Sequence, residues 1–172
     1  KGRMTKPQER LFVFSGMGPQ WWAMGQQLYR EELVYAKVVD QADVIFQELA
    51  GWSILAELLK DETESRVSET AIAQAGNFIV QLGIVELLAS WGIKPAAVVG
   101  HSVGEVSSAY ASGILSLRDA ITVSYHRGRT QAKTAGTGAM LATALSLDDA
   151  GTVIAPYAGN VSIAGIRSAA RR

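Results

Sequence analysis

Cysteine is absent from the sequence. Disulfide bonds and thiolate metal sites are therefore excluded, and with no signal-like start to the chain a cytoplasmic setting is expected. An excess of charge of one sign is missing too: Lys+Arg and Asp+Glu both count 16. A net charge of zero gives no bulk electrostatic pull toward nucleic acid or an anionic membrane. Long uninterrupted apolar runs are also lacking. The longest, "NFIVQLGIVELLASWGI", is broken by Gln81 and Glu86 and is too polar for a membrane span. What is present is a hydrophobic fraction of 48% against 19% charged residues in 172 residues, the composition of one soluble domain with a sizeable core. Histidine occurs only twice, and one of the two, His101, stands beside a serine between two glycines.

The order of elements predicts an α/β fold. "KGRMTKPQER", residues 1–10, is polar and basic and reads as a linker, while "LFVFSG" is a short apolar run ending at glycine, as a buried strand would. Positions 34, 38, 42, 45, 46 and 49 are apolar at helical spacing and predict an amphipathic helix. Asp61 to Thr70 reads as a loop, and Asn77 to Trp91 as a helix buried on most sides that Gly92 stops. "KPAAVVG" then predicts a strand and "EVSSAYAS" a helix. Ser116 with Asp119 resembles a capping box opening a further helix to about Thr134. Single strands alternating with helices favour a mostly parallel sheet covered by helices. After "TAGTGAM" the texture changes: "MLATAL" and "NVSIAGI" read as strands flanking a short helix capped by Ser146, the opening of a small separate subdomain.

Gly100-His101-Ser102-Val103-Gly104 fits G-x-S-x-G between a short apolar strand and a helix. The glycines permit a tight turn that projects the serine hydroxyl at the helix N-terminus, where the N–H of Val103 can face an oxyanion. A serine in a purely structural strand-to-helix turn gives the same five residues. Arg127 falls on the apolar side of its helix, one turn after Val123 and two after Ala120. An unpaired guanidinium there is costly and its planar fork suits a carboxylate, although packing of the stem with the head in water is the other reading. Arg129 points away as a solvated charge, and Trp21 and Trp22 read as core or rim packing.

"GHSVGE" after "WGIKPAAVVG", "GMGPQ" after the first strand and Arg127 in "YHRGR", with "FSGMGPQWWAMG" and "AIAQAGNF", resemble the acyltransferase domains of polyketide and fatty acid synthases, the malonyl-CoA:acyl carrier protein transacylase family. The resemblance runs from Leu11 to Ser168. It implies an α/β-hydrolase-like large subdomain over residues 11–136 and the start of an inserted ferredoxin-like small subdomain over 137–172. It also implies Ser102 as nucleophile, the backbone N–H groups of Gln20 and Val103 as oxyanion hole, and Arg127 as partner of the free carboxylate of a malonyl-type unit. His101, Gln74 and His126 are implied to line the pocket, although His126 reads better as a partly buried helix histidine. Met17 and Pro19 stand where the family often has glutamine and serine, which a backbone donor at Gln20 tolerates.

The expected activity is a ping-pong transfer: Ser102 takes a malonyl-type unit from coenzyme A and passes it to the phosphopantetheine thiol of an acyl carrier protein. Coenzyme A enters as substrate, no metal or redox cofactor is expected, and neighbouring domains such as a ketosynthase are expected partners. A serine esterase or thioesterase of α/β-hydrolase type shares G-x-S-x-G, and an inactive structural fragment is the remaining alternative. The family's general base is a histidine in a later G-x-x-H-S/T motif that this sequence lacks, and "RSAARR" stands where the family continues with further strands. Both features lead to the expectation of an incomplete domain that does not turn over alone.

Overall fold

The computed structural model describes residues 9–166, so most of the expected linker 1–10 and the "RSAARR" segment from Arg167 lie outside the described residues. The chain divides after Ala135 into two compact units.

In the first unit, β1 (Leu11–Phe14) and β2 (Ala97–Gly100) pair in parallel, with Leu11 opposite Ala97 and Phe14 opposite Gly100. Both are short runs rich in Val and Phe, the residue types that fit a pleated surface. A parallel pair needs a crossover, and here it carries four helices. These are α1 (Gln26–Glu31), α2 (Leu33–Ala50), α3 (Ile54–Leu58) and α4 (Thr70–Ser90). After β2 come α5 (Gly104–Ala111) and α6 (Leu117–Ala132). The parallel sheet and helical cover agree with the α/β expectation.

The core is formed chiefly where α4 packs on α2 and α6. Phe46 and Ala42 of α2, Phe78, Ile79 and Leu82 of α4, and Ile121 of α6 are each at most 1% exposed. Each large apolar side chain removed from water to this extent contributes about 1.5–3 kcal/mol. Phe46 meets Tyr125 of α6 edge-on, with ring centroids 5.5 Å apart. α4 is long and apolar enough to cross a membrane, but 61% of its most apolar window is buried within the fold, so it serves as the core helix.

Several sequence expectations are corrected. α4 begins at Thr70 rather than Asn77, because its first two turns are built from Ala71, Ala73, Ala75 and Gly76. These residues carry little apolar volume and so little periodic signal, although alanine is the best helix former. Gly76 lets α3 pack closely there: a Cβ would come 3.0 Å from Leu58 Cδ2, which would have to give way slightly. The stripe on α2 is rotated, with exposed Val34 outside it and Tyr35, Val39 and Asp43 buried. Asp43 accepts hydrogen bonds from Leu55 N (3.0 Å), Ser53 Oγ (2.8 Å) and Gln47 Nε2 (2.7 Å), and so fixes the elbow between α2 and α3. Neither α1 nor α3 was anticipated; both are too short to show a period.

In the second unit, α7 (Leu147–Ile154) is capped by Ser146 Oγ, which accepts from Asp149 N at 3.1 Å. The strands expected at "MLATAL" and "NVSIAGI" are not formed. A strand satisfies its N–H and C=O groups only through a neighbour, and among the described residues no segment pairs with either. Their apolar side chains stay exposed, Met140 at 91% and Leu141 at 90%.

Candidate active site

β1 and β2 both end at one edge of the fold, and the turn leaving β2 holds Ser102. Its backbone has φ 57°, and among the described residues it is the one non-glycine with positive φ. Such a conformation costs about 1–3 kcal/mol and persists where its surroundings enforce it. The surroundings here are backbone atoms too close for any side chain. A Cβ on Gly100 would lie 2.1 Å from Gly104 O, one on Gly104 2.3 Å from Phe14 O, and one on Gly16 2.9 Å from His101 O. The turn is completed by His101 N donating to Phe14 O at 3.0 Å, Gly104 N to His101 O at 2.9 Å and Glu105 N to Ser102 O at 3.0 Å. None of these bonds uses the Val103 N–H, while the Val103 side chain is fully buried and anchors the turn.

The loop after β1 is shaped by the side chain of Gln20. Its Oε1 accepts from Gly18 N at 2.6 Å and from Asn77 Nδ2 at 3.4 Å, with Gly18 at φ 136°. The side chain thereby folds back on its own loop and leaves the Gln20 N–H out of these bonds. Gly16 packs against His101 and Ser102, so this loop and the serine turn are in direct contact.

The Arg127 guanidinium reaches the serine: its terminal NH2 group donates to Ser102 Oγ at 3.2 Å. Its Nε is buried and has no acceptor among the protein atoms. α6 comes this near because Gly128 lies on α4, where a Cβ would meet Ala71 O at 2.9 Å. Gln74 is fully buried at the same seam. Its Nε2 donates to Gln131 Oε1 at 2.5 Å, its backbone O accepts from Ser124 Oγ at 3.3 Å, and its Oε1 has no donor. Arg127 Nε and Gln74 Oε1 are the two unpaired buried side-chain polar atoms among the described residues. Buried polar atoms are otherwise nearly always paired, so two such exceptions at one seam mark a place where a ligand can supply the missing partners.

The structure thus joins Ser102, Val103, Arg127 and the "GMGPQ" loop, and places Gln74 against the helix that carries Arg127. His101 is exposed, with its ring Nδ1 over Gly16. His126 is exposed on α6, its ring 5.0 Å from that of Tyr125. Arg129 is exposed as expected, and Trp21 and Trp22 meet edge-on with Trp21 at 56% exposure, at the rim rather than in the core. Three polar residues were overlooked: Asn77, Gln81 and Gln131. The signal for the first two was present, since 74, 77 and 81 are polar positions at helical spacing in an otherwise apolar helix.

Ser102 is thus held at positive φ between a parallel strand and a helix, with the Arg127 guanidinium beside it, a geometry compatible with serine-dependent acyl transfer. Residues 11–170 match the family model of the acyl transferase domain. The chain is 42% identical over 164 residues to a highly reducing polyketide synthase, pks5, of Leptosphaeria maculans, covering 91% of this chain and 6% of that protein. It is 39% identical over 176 residues to the hybrid PKS-NRPS synthetase pynA of Aspergillus niger, covering 97% of this chain and 4% of that one. Among solved structures it is similar to a loading acyltransferase from the avermectin modular polyketide synthase, with TM-score 0.77 and 35% identity over 86% of this chain and 46% of that chain. The chain belongs to the acyl transferase domain family, of the polyketide synthase and malonyl-CoA:ACP transacylase type. It spans only a few per cent of the length of these multidomain relatives.

Proposed function

We propose that the site loads a malonyl-type unit from coenzyme A onto an acyl carrier protein. The observation that carries this reading is Arg127: a guanidinium 3.2 Å from the serine Oγ whose buried Nε lacks an acceptor. A substrate with a free carboxylate beside its thioester supplies that acceptor, and a bidentate charge-assisted pair orients the thioester carbonyl on the serine. A simple ester hydrolase has no use for such a cation.

In the first half-reaction Ser102 Oγ attacks the thioester carbonyl carbon, and its proton passes to a base. The carbonyl oxygen becomes an oxyanion held by the N–H groups of Gln20 and Val103. Collapse breaks the C–S bond, the coenzyme A sulfur leaves with a proton, and a Ser102 ester remains. In the second half-reaction the carrier protein's phosphopantetheine thiol attacks the ester, and Ser102 regains its proton. By resemblance to the family, the base is a histidine of the later G-x-x-H-S/T motif, and His101, His126 and Gln74 line the pocket. Neither half-reaction calls for a metal or redox cofactor. A cytoplasmic synthase with ketosynthase and carrier domains as neighbours fits this chemistry.

The test is covalent loading. Incubated with malonyl-CoA, a complete domain that carries this sequence together with the G-x-x-H-S/T histidine gains the mass of one malonyl ester, and Ser102→Ala abolishes it. An undiminished adduct in Ser102→Ala would overturn the reading.

A further inference from the structure

The two oxyanion donors sit on separate pieces of chain: Gln20 follows β1, and Val103 precedes α5. An oxyanion hole works only when both N–H groups lie about 2.7–3.1 Å from one oxygen, so the relative position of these two pieces is itself a catalytic requirement. One side chain is bonded to both. Gln81 of α4 donates from Nε2 to Ser15 O at 2.9 Å, with Ser15 Oγ at 3.3 Å, and accepts at Oε1 from Ser107 Oγ at 2.5 Å. Ser15 is the residue immediately before the "GMGPQ" loop, and Ser107 is 2% exposed in the first turn of α5.

We propose that Gln81 is a positioning residue that sets the Gln20 and Val103 N–H groups at the spacing the oxyanion needs. This rests on the acyl-transfer reading above. Ser15 O sets the orientation of the amide: turned over, it would place its carbonyl oxygen against Ser15 O, which cannot donate, whereas the Ser107 hydroxyl can serve either end. It therefore fixes direction as well as distance. The amide lies on the rigid core helix, and the strand end and α5 already touch through Gly104, which approaches both Phe14 O and Ser15 O. Without the clamp, the loop and the serine turn keep that contact but can slide along it. A displacement of about 1 Å is enough to spoil a site of this kind.

The experiment uses Gln81→Met, which keeps length and removes the hydrogen bonds to Ser15 and Ser107, and Ser107→Ala and Ser107→Thr, each in a complete domain that also carries the G-x-x-H-S/T histidine. Single-turnover acylation of Ser102 is followed by quench and intact mass with malonyl-CoA and with acetyl-CoA, per folded molecule as judged by thermal melting. The expected result for Gln81→Met is a maximal acylation rate about 10- to 100-fold lower for both thioesters alike, with little change in the half-saturating concentration; full loss of one such donor costs 10²–10³. Ser107→Ala gives part of that loss, Ser107→Thr restores it, and Ser107→Ala adds little in the Gln81→Met background because both act through one bond. An unchanged rate per folded molecule, even with a lower melting temperature, would overturn the proposal, as would a loss confined to malonyl-CoA. Should Gln81→Met fail to fold, an unchanged rate in Ser107→Ala overturns it alone. Adduct formation on Ser102→Ala would instead overturn the acyl-transfer reading, so the two failures are distinct.

Discussion

Replacing Arg127 by alanine removes two things at once, and the structure allows them to be separated. One is the donor 3.2 Å from Ser102 Oγ, which the protein has whatever the substrate. The other is the carboxylate partner, which matters only for a dicarboxylic thioester. A hydrogen bond to a charged group contributes about 1.5–3 kcal/mol, and the buried, otherwise unpaired Nε places Arg127 toward the upper part of that range. Since each 1.4 kcal/mol is tenfold, Arg127→Ala should lower the malonyl-to-acetyl ratio of kcat/KM by about 10- to 150-fold. The ratio is the informative quantity, because any effect through Ser102 Oγ is common to both substrates and cancels. Arg127→Lys, a point charge without the planar fork, should recover only part of the ratio. The assay is mass-detected loading of a carrier protein from each thioester at matched concentrations. Equal losses for malonyl-CoA and acetyl-CoA would refute the carboxylate role and leave Arg127 as a residue of the serine turn.

Two further predictions concern the frame. Gly104→Ala sets a methyl 2.3 Å from Phe14 O, a backbone atom that cannot swing aside, so the serine turn should be forced off β1. A destabilisation of about 3 kcal/mol or more is expected from urea unfolding, with Ser102 no longer acylated; a native-like midpoint with intact acylation would contradict the packing. Glu57 is held below the usual carboxylate range first by its hydrogen bond from Arg66 (2.8 Å) and then by Lys60 (2.9 Å). A depressed folded pKa means the contribution is fully present above the unfolded carboxylate pKa and is lost as pH falls through the folded one. Melting curves of the wild type and Glu57→Gln should therefore run a constant distance apart near neutral pH and converge under acid. The gap should shrink with salt, because Arg66 is half exposed. A gap that widens as pH falls would show the sign to be wrong.

The parts of the fold that could be read in advance were those with a local cause. Ser116 and Ser146 begin helices because each side chain caps its own N3 amide, a contact made within four residues. The serine turn was legible for the same reason, since Gly100 lies against the backbone of Gly104 four residues on. Other features depend on what lies across the contact, and sequence spacing does not carry that. The start of α4 is hidden in alanines that count for little until α6 is laid on them. The strands read at "MLATAL" and "NVSIAGI" have strand composition, but a strand is a relation between two segments, and composition names only one of them. Asp43 looked like one more polar position on α2, yet it caps the next helix from the buried side.

The polar positions of α4 show how far one misjudged feature reached. In the sequence, Gln81 and Glu86 interrupt an apolar run, which is enough to argue against a membrane span. An interruption placed at random would tend to face solvent. Here Gln74, Asn77 and Gln81 fall on one face, and each is bonded to a different segment near Ser102: Gln74 to Gln131 on the helix of Arg127, Asn77 to Gln20 in the loop after β1, and Gln81 to Ser15 and Ser107 on either side of the serine turn. Glu86, further along, accepts from Tyr110 of α5 at 2.7 Å, and burial of the phenol, then that bond, push the Tyr110 hydroxyl above its ordinary range. Burying an amide is costly unless it is bonded, and two of the three, Gln74 and Asn77, are buried while Gln81 is partly so. At each position the bond ties α4 to a segment that borders Ser102 or to the helix that carries Arg127. The core that stabilises the fold and the support that sets the site's geometry are therefore two faces of the same helix. A substitution on the polar face should disturb chemistry well before it disturbs folding, and one on the apolar face the reverse.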